Sequence, residues 1–216
     1  ASCLVGAEMC IRDRNKAFAS SADTAAKTDT LEILGEGVYA LTAEGDPNVG
    51  AVEGEDFLVA IESRATPAAS RDWLKILRQQ TDKPVRYLIL THYHAVRVLG
   101  ASAFDAGDIV MSEASRDLVA ERGEQDWKSE FGRMPRLAKN ADEVPGLTWP
   151  TVTFATDHAI DLGGDRGRLE LRFLGRGHTG GDIVVWHDRT RTLFAGDLVE
   201  SKAALYTGDA LSLIHI

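Results

Sequence analysis

Thr91-His92-Tyr93-His94-Ala95-Val96-Arg97 is the stretch that decides the reading of this chain. It follows Val85 to Leu90, a near-continuous apolar run. Such a run predicts a central strand buried on both faces. The strand would deliver the histidines at its C-terminal end, where sites in layered α/β proteins usually sit. Alternate residues of an extended segment point the same way, so His92 and His94 can face one ion. Alone, a His-x-His pair is a weak signal, because two surface histidines meet that pattern by chance.

Two later stretches strengthen it. Gly175-Arg176-Gly177-His178-Thr179-Gly180-Gly181-Asp182 is a glycine-rich loop after the apolar run Leu169 to Phe173. Gly177 allows a tight backbone path that aims His178 into a cleft. Ala195-Gly196-Asp197 closes the run Thr192 to Ala195. Three imidazoles hold a divalent metal and leave a position open, which is how a catalytic zinc site is built. His92, His94, His178 and Asp197 are therefore the candidate ligands. His158, at a strand start, and His187, in a turn, read as surface histidines.

Working outward, Leu31 to Leu34 and Val38 to Thr42 read as a hairpin around Gly35-Glu36-Gly37. Val49 to Val52 and Phe57 to Ile61 are further strands. Thr66-Pro67 opens a helix through about Gln80, with Trp73, Leu74, Ile76 and Leu77 at helical spacing. Ile109 to Met111 is a strand and Ser112 to Glu121 a helix. The polar stretch from Gly123 to Leu147 is long for a loop and is expected to hold another helix and a site-lining segment. Strands follow at Val152 to Phe154, Ala159 to Leu162, Leu169 to Phe173, Ile183 to Trp186 and Thr192 to Ala195. This order suggests two sheets with helices outside.

The two ends read as foreign. Leu211-Ser212-Leu213-Ile214-His215-Ile216 and Met9-Cys10-Ile11-Arg12-Asp13 can be back-translated from one short DNA read on opposite strands. That DNA looks like a transposon end used in sequencing, so residues 1–14 and 211–216 are set aside as adapter-like. Cys3 and Cys10 fall there, which leaves no cysteine for a disulfide or a thiol nucleophile. Residues 15–30 read as a flexible N-terminal segment and residues 31–210 as one domain, incomplete at the C-terminus. Ala17-Phe18-Ala19 has the look of a signal-peptidase site, which leaves the cytoplasm and the periplasm both open. The net charge of −9 speaks against a nucleic-acid partner. No apolar run approaches the roughly 20 residues of a membrane span. A small-molecule substrate is expected, and no oligomeric state is assigned.

Taken together, the chain resembles the metallo-β-lactamase superfamily. The resemblance rests on Asn48-Val49-Gly50, Ile61-Glu62-Ser63, Lys83-Pro84-Val85-Arg86-Tyr87, the His-x-His, Gly177-His178-Thr179 with Gly181-Asp182, and Gly196-Asp197. It implies an α/β fold, the αββα sandwich, with a zinc site at one edge of the sheets and hydrolysis of an ester, thioester, lactam or similar bond by metal-bound water. The usual first motif, His-x-His-x-Asp-His, here reads His92-Tyr93-His94-Ala95-Val96-Arg97. Val96 cannot ligate, and Arg97 is a permanent cation. The family's final histidine would lie beyond residue 210. One zinc ion, or two, is expected, with Arg97 reaching into the vacated second site to pair with Asp197. Asp197, Glu62 and Asp182 are the candidates for orienting the attacking water. Glu62 also suits support of the ligands from behind, and Thr179 with Asp182 suits orienting the loop. The alternative is a degenerate member that binds metal or ligand without turnover.

Overall fold

The computed structural model describes residues 27–43 and 46–199. The adapter-like ends, Ala17-Phe18-Ala19 and the position expected for a final histidine all lie outside the described residues.

A seven-stranded sheet runs in chain order, from β1 (Thr30–Gly35), β2 (Val38–Thr42), β3 (Val49–Glu53) and β4 (Leu58–Ile61) to β5 (Val85–Ile89), β6 (Asp108–Ser112) and β7 (Val152–Phe154). The first four strands pair antiparallel and β4 to β7 pair parallel. Parallel neighbours need crossovers. These are α1 (Pro67–Leu77), the short α2 (Ala95–Val98) and the long α3 (Glu113–Arg133). The second sheet is antiparallel, in the order β11-β10-β9-β8, with β8 (Asp157–Asp161), β9 (Arg168–Phe173), β10 (Ile183–His187) and β11 (Thr192–Phe194).

Local chemistry starts α1 where the sequence places it. The Thr66 side chain accepts the Ala69 amide at 3.3 Å, and Pro67 opens the first turn. Trp73 and Leu77, four apart, are buried against the sheet. Strand alternation then builds two apolar layers. Ala60 and Leu88 join the layer beneath the helices, while Val59, Ile61 and Ile89 meet Leu169, Leu171, Ile183 and Val185 of the second sheet. β5 is thus buried on both faces, as its composition predicts. The layers are helix, sheet, sheet. Among the described residues no helix covers the outer face of the four-stranded sheet. No helix among them is long and apolar enough to cross a membrane.

Two expectations need correction. The stretch after Glu121 does not break at Gly123. One helix continues to Arg133, because Gly123 lies on its buried stripe, where an added Cβ would come within 3.2 Å of Leu147. The glycine marks close packing and not an end. His187 is no surface residue either. It is 2% exposed, with Nδ1 2.7 Å from Thr190 Oγ1 and Nε2 2.9 Å from the Arg166 carbonyl, so it ties down the β10–β11 turn.

Candidate metal centre

The site forms where the C-terminal end of β5 meets the second sheet. The Ile183 amide donates to the Thr91 carbonyl at 2.9 Å and links the two sheets just beside His92. His92 and His94 lie in the bend that follows β5, and His94 is the N-cap residue of α2. His178 comes from the glycine-rich loop between β9 and β10, and Asp197 from the 3₁₀ turn after β11. Gly177 earns its place by close approach: a Cβ there would lie 2.3 Å from Leu198 Cδ2.

The four expected ligands converge. One donor atom from each of His92, His94, His178 and Asp197 lies within 4.8 Å of all the others. The three imidazole rings stand nearly perpendicular to one another, at 83°, 83° and 86°. His94 Nδ1 and His178 Nε2 are 3.0 Å apart, and Asp197 Oδ2 is 3.5 Å from His92 Nε2 and 3.6 Å from His178 Nε2. Tetrahedral ligands about 2.05 Å from one ion would be about 3.3 Å from each other. These three spacings lie near that edge length, within a cluster that spans up to 4.8 Å. His92 Nδ1 is 3.0 Å from Thr91 Oγ1, which leaves Nε2 as the inward atom. That Nε2 is buried with no hydrogen-bond partner, an arrangement that costs free energy unless something binds it. A divalent metal fits these residues.

Electrostatics set the histidines apart. Burial, and then the neighbouring His92 and His94, lower the His178 pKa to about 4, so the ring is uncharged at neutral pH. Burial opposes charge on His92, but Asp197 and Glu62 outweigh it and raise its pKa. Burial likewise opposes charge on Asp197, yet Arg97 and His92 hold its carboxyl well below the usual range.

Arg97 does what the altered motif predicts. Its Nη2 forms an ion pair with Asp197 Oδ1, and its Nη1 donates to the Asn48 carbonyl at 2.9 Å. Val96 beside it is buried. Glu62 lies behind the ligands. Its Oε1 accepts the Thr91 amide at 2.9 Å, its Oε2 has no partner, and burial raises its pKa against the pull of His92 and Arg97. Glu62 sits at φ 66° and Arg64 at φ 84°, and between them Ser63 donates from both its amide and its Oγ to the Arg97 carbonyl, at 2.9 and 2.8 Å. Asp182 faces back along its own loop, accepting from the Thr179 amide at 2.6 Å and from Thr179 Oγ1 at 3.0 Å. Sequence reading missed Asn48 as the anchor of Arg97, because a backbone carbonyl leaves no mark in residue type. It also missed the polar groups of α3 that touch the site loops.

The family model of the metallo-beta-lactamase superfamily matches residues 43–212. This chain belongs to that superfamily. Solved structures of the superfamily's fold agree. A metallo-beta-lactamase from Pontibacter korlensis is 24% identical with a TM-score of 0.65, covering 85% of this chain and 79% of that one. A metallo beta lactamase from Hirschia baltica is 18% identical with a TM-score of 0.60, at 85% and 79% coverage. Within this superfamily fold, the cluster of three histidines and Asp197 is a site able to hold a metal. The superfamily's first motif is altered here, and the chain answers with an internal ion pair beside that site.

Proposed function

We propose that the protein is a hydrolase of small molecules that works with a single zinc ion, held by His92, His94 and His178, with Arg97 occupying the place of a second ion. The observation that carries this reading is the Arg97–Asp197 ion pair directly beside three convergent imidazole nitrogens. Zinc bound by three neutral imidazoles keeps its full charge and supplies Lewis acidity and an activated water near neutral pH. The chain does the rest. Arg97 keeps Asp197 ionised. That carboxylate is suited to accept a hydrogen bond from the attacking water and aim it. Glu62 holds the Thr91 peptide, and so the place of His92, while Asp182 steadies the loop of His178. The substrate is a small molecule with an ester, thioester, lactam or similar bond.

Metal analysis of zinc-loaded protein is expected to find one tightly held ion per chain. Two would overturn the single-ion reading. Turnover of nitrocefin, a thioester, a lactone and a phosphodiester should require added zinc and vanish in His94→Ala. A folded, zinc-bound protein inert toward the whole panel would instead support a binding member without turnover.

A further inference from the structure

Helix α3 touches two of the ligand-bearing segments from outside the site. Its inward stripe reads Ser115, Val119, Gly123, Asp126 and Glu130, at helical spacing. A carboxylate in a packing stripe needs a partner. Asp126 Oδ2 accepts the Ala95 amide at 2.7 Å. Ala95 is the first residue of α2, whose own N-cap residue, His94, makes no side-chain cap. A neighbouring helix therefore caps the turn that carries His94, Val96 and Arg97. At the start of the same helix, Ser112 Oγ and Ser115 Oγ both donate to the Gly181 carbonyl, at 2.6 and 3.0 Å. The approach is so close that a Cβ on Gly181 would lie 2.4 Å from the Ser115 amide nitrogen. Gly181 follows His178 by three residues.

We propose that α3 is the alignment bar of the metal centre and that Asp126 is a positioning residue for His94, acting through the Ala95 amide. This rests on the three histidines being metal ligands. One rigid element then grips the peptide after His94 and the loop of His178, and fixes the 3.0 Å between their nitrogens. Groups that orient ligands from behind typically matter 10–100-fold in metal affinity.

The test compares full-length Asp126→Ala, Asp126→Asn and Ala95→Pro. Proline suits this first helical position, and His94 at ψ 136° already has the backbone that precedes proline. Zinc affinity is measured by competition with a chromophoric chelator, and cobalt(II) spectra report ligand geometry. Asp126→Ala and Ala95→Pro should each weaken zinc binding about tenfold and shift the cobalt bands. Asp126→Asn, which keeps an acceptor oxygen, should stay near wild type. The double variant Ala95→Pro/Asp126→Ala should lose no more than one single variant, since both delete the same hydrogen bond. Lys128→Ala, exposed on the same helix, should change nothing. Wild-type affinity and spectrum in folded Asp126→Ala, or equal losses in Lys128→Ala, would overturn the proposal. If Asp126→Ala does not fold, Ala95→Pro decides alone by the same two readouts. If His94→Ala binds zinc as tightly as wild type, the metal reading itself has failed, whatever Asp126 does.

Discussion

The two ends of the same strands hold two polar clusters, one half-buried and one buried, and they are built on opposite principles. At the start of β4, Tyr39 donates to Glu53 Oε1 at 2.6 Å, and Lys83 Nζ donates to Glu53 Oε2 at 2.6 Å and to the Gly54 carbonyl at 2.8 Å. None of these side-chain atoms lacks a partner. At the other end stand Glu62, His92, Arg97 and Asp197. There Glu62 Oε2, His92 Nε2 and Arg97 Nε are buried without one. A closed network holds the fold together and asks for nothing more. An open one at a strand end, with its orphan nitrogen facing two other imidazoles, is made to receive something. Polar residue types alone would not tell these ends apart. The unsatisfied atoms do.

The sharpest way to break this contrast is to take a ligand away. His178→Asn should weaken zinc binding by about 3 kcal/mol, roughly two orders of magnitude, if a four-ligand site gains 10–16 kcal/mol in all. Chelator competition measures the loss. Denaturant unfolding of the metal-free protein should change by less than about 1 kcal/mol, because the loop of His178 is held by Asp182, Ser112 and Ser115 and not by its ring. A large loss of metal-free stability with unchanged zinc affinity would reverse the assignment of the two ends.

The mirror experiment is Glu53→Ala. It strands the Tyr39 hydroxyl, leaves the Lys83 ammonium only the Gly54 carbonyl, and should cost about 2 kcal/mol of unfolding free energy, with zinc affinity unchanged. The pH dependence gives an independent check. Burial, then the hydrogen bond and charge of Glu53, raise the Tyr39 pKa to about 12 from an ordinary 10.0. A raised pKa means that the unfolded chain loses this proton first. The stability Tyr39 contributes is then fully present below pH 10 and lost as pH rises toward about 12. Tyr39→Phe should flatten that alkaline decline in urea midpoints. An unchanged decline would place its cause elsewhere.

The metal end was far more legible in the sequence than the closed end, for a physical reason. Its candidate ligands are of metal-binding residue types, and each segment that carries them follows an apolar run. The exchange of carboxylate for Val96 and of histidine for Arg97 even predicts the pairing with Asp197. The Tyr39–Glu53–Lys83 cluster uses common residues brought together by strand register, Tyr39 opposite Ala51 and Glu53 opposite Leu58, and nothing local marks it. The strands were readable because alternation and apolar runs are local signals. The length of α3 was not. Gly123 and the stripe residues Asp126 and Glu130 look like loop chemistry until the groups they press against are known.

The smallest expected effect tests whether Arg97 belongs to the open end or has closed part of it. Its guanidinium forks between the Asn48 carbonyl and Asp197, a geometry a planar five-donor group can hold and a single ammonium cannot. Arg97→Lys keeps the charge, and so keeps Asp197 ionised, but can satisfy only one branch well. The loss should be about 1 kcal/mol, a melting shift of about 2–4 °C in a chain of this size. Zinc should still bind one ion per chain, because the positive charge that excludes a second ion remains. If Arg97→Lys melts like wild type, the fork adds nothing to the fold and Arg97 is there for the site alone. If it takes up a second ion, shape, and not charge, has been keeping that place closed.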